Sequence, residues 1–139
     1  MKTRTRLENG DVAGFVSTIK EVLSSFPSIA FAYLYGSALE SLVVGDVDIA
    51  VYFEAAVPPE GQIDMTLSLS ANLSAKLGLE VDVRTLNQSP VGYRFEVTGG
   101  ELLFSRDEHL RSEFVERTWQ EYFDFKPQME QNLRDLLAP

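Results

Sequence analysis

Three aspartates and a glycine-serine pair are the residues of this chain whose types and spacing can do chemistry. Asp46 and Asp48 stand one residue apart in the run DVDIAVYF, and Asp82 is central in a second run of the same kind, EVDVRTL. Both runs alternate β-branched residues with polar ones, so Asp46 and Asp48 share one side of a strand, roughly 6 to 7 Å apart at the Cα. Unpaired, two such carboxylates repel. A hard divalent cation such as Mg²⁺ between them removes the repulsion and leaves coordination positions open to phosphate oxygens and water. A third carboxylate on a neighbouring strand completes a site for phosphoryl or nucleotidyl transfer, placed to accept the proton of an attacking hydroxyl. Gly36-Ser37 suits the phosphate side of that scheme. It follows the apolar run IAFAYLY, where glycine lets the backbone approach a ligand and the next free amides, with the Ser37 hydroxyl, can hold phosphate oxygens. Plainer readings stand beside these: Ser37-Ala38-Leu39-Glu40 also matches a helix capping box, and Asp82 can be a solvent-facing residue paired with Arg84.

The elements that must position these residues are legible. Val12, Phe15, Val16, Ile19, Val22, Leu23 and Phe26 repeat at helical spacing over residues 11 to 26, after the turn and cap signals Asn9, Gly10 and Asp11 and before Pro27. IAFAYLY (29 to 35) is short and apolar throughout, which predicts a central strand covered on both faces. Residues 37 to 44 are expected to form a short helix or helical turn. The strand DVDIAVYF follows, with Val47, Ile49, Val51 and Phe53 on one face and Asp46, Asp48, Ala50 and Tyr52 on the other. AAVPPEG is a loop. A helix is predicted over 61 to 77, with Met65, Leu69, Leu73 and Leu77 on one ridge and Gly78 as its C-terminal cap. Strands are predicted at 80 to 86 and 101 to 104, with a short helical segment between Pro90 and Gly99-Gly100. A last helix begins near Asp107, with Leu110, Phe114, Val115, Thr118, Trp119 and Tyr122 on one side and Glu113 and Arg117 as an i,i+4 pair on another. Pro127 is expected to interrupt it before a terminal helix, QMEQNLRDLL. Helices alternating with short strands give an α+β (α/β-like) class, a small mixed sheet flanked by helices.

Bulk composition narrows the function. The chain has 139 residues, enough for one domain with a single core about 11 to 105 and a C-terminal helical segment 107 to 137. Net charge is −9, from 21 acidic and 12 basic residues, which argues against a broad electrostatic grip on nucleic acid. There is no cysteine and one histidine, His109, so zinc sites are excluded; His109 reads as a surface residue near the start of the last helix. The polar N-terminus lacks the apolar core of a signal peptide, and no apolar run approaches the roughly 18 residues of a membrane span. A soluble cytoplasmic protein is expected. Trp119 and its aromatic neighbours are expected in the core, with Tyr122, Phe123 and Phe125 as an alternative partner-binding patch.

The order of these features resembles the polymerase-β-type nucleotidyltransferase superfamily, whose signature is Gly-Ser, a short spacer, Asp-x-Asp and a later strand aspartate. YLYGSALE, DVDIAV, LEVDVRTL, RFEVTGGELLFSRD and WQEYFDFKP are similar in particular to the minimal nucleotidyltransferases, the antitoxin partners of HEPN-domain ribonucleases. The resemblance implies the polymerase-β-type fold with a C-terminal helix and ATP as donor. It implies AMP transfer to a tyrosine of a cognate HEPN toxin held in a hetero-oligomeric complex. Carried over by position, Gly36 and Ser37 would bind nucleotide phosphates, Asp46, Asp48 and Asp82 would be catalytic and hold Mg²⁺, and Asp82 would act on the acceptor hydroxyl. The spacer ALESLVVG is short and has no basic residue, and Gly45 stands where a serine often precedes the first aspartate. That absence either weakens triphosphate binding or moves the task to Arg84, Arg94 or Lys126. A small-molecule hydroxyl as acceptor, and a non-catalytic antitoxin that blocks its toxin by binding alone, are the competing functions.

Overall fold

In the computed structural model, residues 5–6, 9–36, 43–44 and 46–138 are described. A four-stranded sheet, in the order β5-β4-β2-β6, forms the centre. β2 (Ile29–Tyr35) runs antiparallel to both β4 (Asp46–Phe53) and β6 (Glu101–Ser105), while β5 (Glu80–Thr85) lies parallel to β4. β1 (Thr5–Arg6) and β3 (Val43–Val44) make a separate two-stranded antiparallel ribbon. Val43-Val44 is therefore strand where a helical turn was expected; two adjacent β-branched residues lose side-chain freedom in a helix and fit a pleat. The rest of that expected turn, residues 37 to 42, lies outside the described residues.

The helices cover the two faces of the sheet. Against one face, α1 (Asn9–Ser24) and α2 (Pro59–Leu77) enclose Ala32 and Leu34 of β2, Val47, Ile49, Val51 and Phe53 of β4, and Val81 and Val83 of β5. Against the other, α3 (Val91–Thr98) and α4 (Glu108–Leu137) meet Phe31, Tyr33 and Tyr35 of β2 and Ala50 of β4. All seven residues of β2 are buried, as its continuously apolar sequence requires of a central strand. A register shift between Ile29 and Phe31 puts Ala30 and Phe31 on the same side.

Two devices finish the edges. β5 is an outer strand, yet its free amides do not point at water: Val81 N donates to Ser74 Oγ and Val83 N to Ser70 Oγ, both at 2.9 Å. α2 thereby closes an edge that would otherwise template pairing with another chain. At the end of α1, which carries no basic residue in its last turn, Arg106 supplies the missing donors. Its Nη2 donates to the carbonyls of Ser24 (2.8 Å) and Phe26 (3.2 Å), and its Nε to that of Ile29 (3.0 Å).

The last helix departs from expectation. α4 is one helix of 30 residues with Pro127 inside it, not two. Proline removes the amide that would bond the Phe123 carbonyl, but Phe123 is 53% exposed, so solvent can take that carbonyl's hydrogen bond and the helix continues. Trp119 is also not core. It is 38% exposed, packs on Phe95 of α3 and donates from Nε1 to Thr98 Oγ1 at 3.1 Å. Glu113 approaches His109 (3.1 Å), which is a surface residue as expected, rather than Arg117.

Candidate active site

The strand register decides which groups meet. Alternation along β4 turns Val47 and Ile49 into the core with α1 and α2, leaving Asp46 and Asp48 half-buried on the opposite face. Asp48 is the Cα partner of Tyr35 on β2 and of Asp82 on β5, and Asp46 is that of Glu80. The row Tyr35–Asp48–Asp82 crosses three strands on the face that carries α3 and α4. Four carboxylates, Asp46, Asp48, Glu80 and Asp82, thus occupy a two-by-two block of neighbouring positions. Only the register could reveal that Glu80 joins them.

Gly36 adjoins this block directly. Its φ is +86°, a left-handed conformation that glycine adopts without penalty. A Cβ at this position would stand 2.8 Å from Oδ2 of Asp48. The absence of a side chain is what lets the end of β2 close onto that carboxylate. Ser37, the other half of the expected phosphate turn, lies outside the described residues. A second close approach positions β6: a Cβ on Gly100 would stand 2.5 Å from the Leu34 carbonyl oxygen, so the α3–β6 turn requires glycine to press onto β2.

Asp82 is held by a cation of this chain. Arg84 Nε donates to its Oδ2 at 2.8 Å, with both side chains about half exposed, and this hydrogen bond, with the carboxylate's charge, raises the guanidinium pKa. The expected pairing of Asp82 with Arg84 is therefore present. Among the described residues, no three acidic or histidine side chains converge closely enough to hold an ion as they stand. The donor set still suits Mg²⁺: hard carboxylate oxygens, on one face, from adjacent strands in register. Of the three basic candidates for phosphate, Arg84 is the one that contacts these carboxylates. Arg94 binds Glu121 at 2.7 Å and Lys126 lies 4.0 Å from Glu130 on α4.

Two tyrosines complete the site. The hydroxyls of Tyr35 and Tyr93 share a hydrogen bond of 2.7 Å, with their rings edge to face at 5.6 Å. Burial is the main reason both phenols are pushed above their ordinary pKa, Tyr35 far above it. The negative field of Asp48 acts in the same direction on both, and that of Asp82 on Tyr93. Both phenols are thus neutral hydrogen-bonding groups beside the carboxylates. Sequence reading missed this pair: Tyr35 ends an apolar strand and Tyr93 lies 58 residues later, with no spacing rule to link them.

The polymerase beta nucleotidyltransferase family model matches residues 17–109, a span that holds Gly36, the four carboxylates, Arg84 and both tyrosines. No curated protein sequence matches the chain. Solved structures do. The chain is similar to the MNT antitoxin complexed with the tri-AMPylated Shewanella oneidensis HEPN toxin, at 19% identity and a TM-score of 0.71, over 91% of this chain and 99% of that one. The toxin–antitoxin MntA-HepT gives the same identity, TM-score and coverage. A toxin–antitoxin structure with AMP-PNP gives 18% identity and a TM-score of 0.67, over 95% of this chain and 100% of that one. These likenesses establish the shared fold.

Proposed function

The chain belongs to the polymerase beta nucleotidyltransferase family, and from that premise we propose that it is an Mg²⁺-dependent protein adenylyltransferase and antitoxin. It transfers AMP from ATP to a tyrosine of a cognate HEPN toxin, in the cytoplasm, and so neutralises it. The observation that carries this reading is the register of Asp46, Asp48 and Asp82 on one sheet face beside Gly36. The tri-AMPylated toxin of the similar Shewanella oneidensis complex motivates the choice of acceptor.

Asp46 and Asp48 would hold Mg²⁺, with Asp82 as the third carboxylate. Bound there, the ion supplies charge neutralisation for the triphosphate and lowers the pKa of the acceptor hydroxyl. Gly36 admits the triphosphate beside Asp48, and Ser37 with the following amides binds its oxygens. Asp82 accepts the proton of the tyrosine hydroxyl as that oxygen bonds to the α-phosphorus and pyrophosphate departs. For this, Asp82 must leave Arg84. The freed guanidinium then faces the departing phosphates, which is the positive charge that the spacer 38 to 45 does not provide.

The far half of α4 supports a macromolecular acceptor. Phe123, Phe125, Leu133, Leu136 and Leu137 are all exposed there, and an apolar surface of this extent on one helix suits a protein partner.

Labelled ATP, Mg²⁺ and the product of the adjacent gene, as the candidate toxin, provide the test. The toxin's mass should rise in multiples of AMP, and Asp46→Ala and Asp48→Ala should each abolish the rise. Tight complex formation without a mass shift would establish the non-catalytic antitoxin instead. Asp82→Ala should keep nucleotide binding and lose transfer; loss of both would remove its assignment as proton acceptor.

A further inference from the structure

Strand pairing brings a cation towards the carboxylates from a distant part of the sequence. β1 pairs antiparallel with β3, with Arg6 opposite Val43 and Thr5 opposite Val44. Val43 stands three residues before Asp46, the first residue of β4. Opposite residues of paired strands have Cα atoms about 5 Å apart, and three residues of chain span at most about 11 Å. The Arg6 backbone is therefore within about 16 Å of that of Asp46. An arginine side chain and the phosphates of a metal-bound nucleotide can bridge that gap between them.

The site needs the charge. Asp46, Asp48, Glu80 and Asp82 occupy neighbouring positions on β4 and β5. A triphosphate adds negative charge that one divalent ion does not offset. Arginines around the sheet are already engaged. Arg84 is held by Asp82 and becomes available only once that carboxylate turns to the acceptor. Arg94 is paired with Glu121 and Arg111 with Glu108. Arg106 binds backbone carbonyls, among them that of Ile29 at the opposite end of β2 from Gly36. The spacer 38 to 45 has no basic residue of its own.

The sequence around β1 suits the task. Lys2, Arg4 and Arg6 alternate with Thr3 and Thr5, and no acidic residue precedes Glu8. In a chain of net charge −9, this is a local positive run, and a spacing of two is the one that a strand collects on one side. Lys2 and Arg4 lie outside the described residues, so the register places Arg6 alone. A basic residue can also serve only to guard a strand edge against unwanted pairing. Arg6, however, is on the strand that pairs with the uncharged spacer itself, between Gly36 and Asp46.

We propose that Arg6, carried to the spacer by the β1–β3 pairing, binds the triphosphate of the nucleotide and replaces the basic residue that the spacer lacks. The inference rests on the nucleotidyltransferase reading above and adds to it the cation that binds the nucleotide before reaction. Arg84 acts later, once Asp82 has released it. A short, uncharged spacer is sufficient when the strand paired to it carries the charge.

Isothermal titration calorimetry of the full chain with Mg²⁺ and AMP-PNP, with no toxin present, tests it. Arg6→Gln should weaken binding at least about tenfold, the loss expected of a charge-assisted phosphate contact. Arg6→Lys should recover part of that loss, because an ammonium keeps the charge and gives up only the paired donors. Strand pairing runs through the backbone and is common to both variants. Lys20→Gln, at an exposed position on α1, changes the net charge equally and should bind as the unaltered chain does. Arg6 belongs to a two-residue strand outside the four-stranded sheet, so the variants should fold, which thermal denaturation checks. Undiminished binding by Arg6→Gln, no recovery in Arg6→Lys, or an equal loss in Lys20→Gln would each overturn the proposal and leave the nucleotidyltransferase reading standing. Failure of the unaltered chain to bind Mg²⁺ and AMP-PNP would overturn both.

Discussion

Gly36→Ala is the sharpest probe of how the sheet positions its carboxylates. The new methyl carbon would stand 2.8 Å from Asp48 Oδ2, where ordinary contact begins near 3.4 Å, so the carboxylate must retreat by about 0.6 Å. At φ +86° an L side chain also costs about 1–2 kcal/mol. For a chain of this length, each kcal/mol lowers the melting temperature by about 3 °C, so a loss of about 3–6 °C is expected. Activity should suffer out of proportion to stability. A 1 Å misplacement can cost about 100-fold in rate, and roughly half that displacement corresponds to about tenfold, or about 1.4 kcal/mol on the barrier. The assay is AMP transfer under saturating ATP and Mg²⁺, at a temperature where thermal denaturation shows the variant folded. A tenfold fall in kcat with the protein intact supports the cradle. Full activity in a folded Gly36→Ala variant would refute the idea that the bare glycine sets the position of Asp48.

Three further outcomes are expected. Arg84→Gln removes the cation that competes for Asp82; because the pair is half exposed, the gain is at most about 1 kcal/mol, so apparent Mg²⁺ affinity should rise up to about fivefold in titrations followed by activity or calorimetry. Tyr93→Phe strands the hydroxyl of Tyr35, which is 7% exposed, and should cost about 1–3 kcal/mol in urea unfolding; the double Tyr35→Phe/Tyr93→Phe variant should cost less than the sum of the two single changes. Glu108 accepts from Arg111 Nε at 2.6 Å, and this bond holds its carboxyl down at about 2 against an ordinary 4.5. A depressed folded-state value means stability that is present above pH 4.5 and lost as the pH falls from there towards 2. Glu108→Gln should flatten the acid limb of a stability-against-pH curve in that window by lowering stability at neutral pH while leaving it nearly unchanged near pH 2, where the carboxyl is protonated in any case; an unaltered acid limb would show the ion pair to be inert.

The sheet and most of its helices were legible because their signals are local. Alternation with period two places Asp46 and Asp48 together on any strand, and an unbroken apolar heptapeptide suits a covered central strand. Where prediction failed, a local rule met a non-local fact. Pro127 ordinarily ends a helix, but the carbonyl it deprives lies near solvent, so α4 continues. Trp119 follows the apolar stripe of α4, yet its ring meets Phe95 of α3 and stays partly exposed rather than entering the core.

By itself the sequence determined which residues could serve a nucleotidyltransferase: Gly36 at a strand end, Asp46 and Asp48 on one face, and Asp82 in a second strand of the same kind. Only the tertiary structure decided what surrounds them. Parallel pairing of β5 with β4 sets Asp82 beside Asp48 and adds Glu80 beside Asp46. Packing of α3 brings Tyr93 onto Tyr35, and pairing of β1 with β3 sets Arg6 opposite the spacer. The reason is physical. Side-chain direction along a strand follows from backbone geometry one residue at a time, whereas register and helix docking are chosen by the whole buried surface at once.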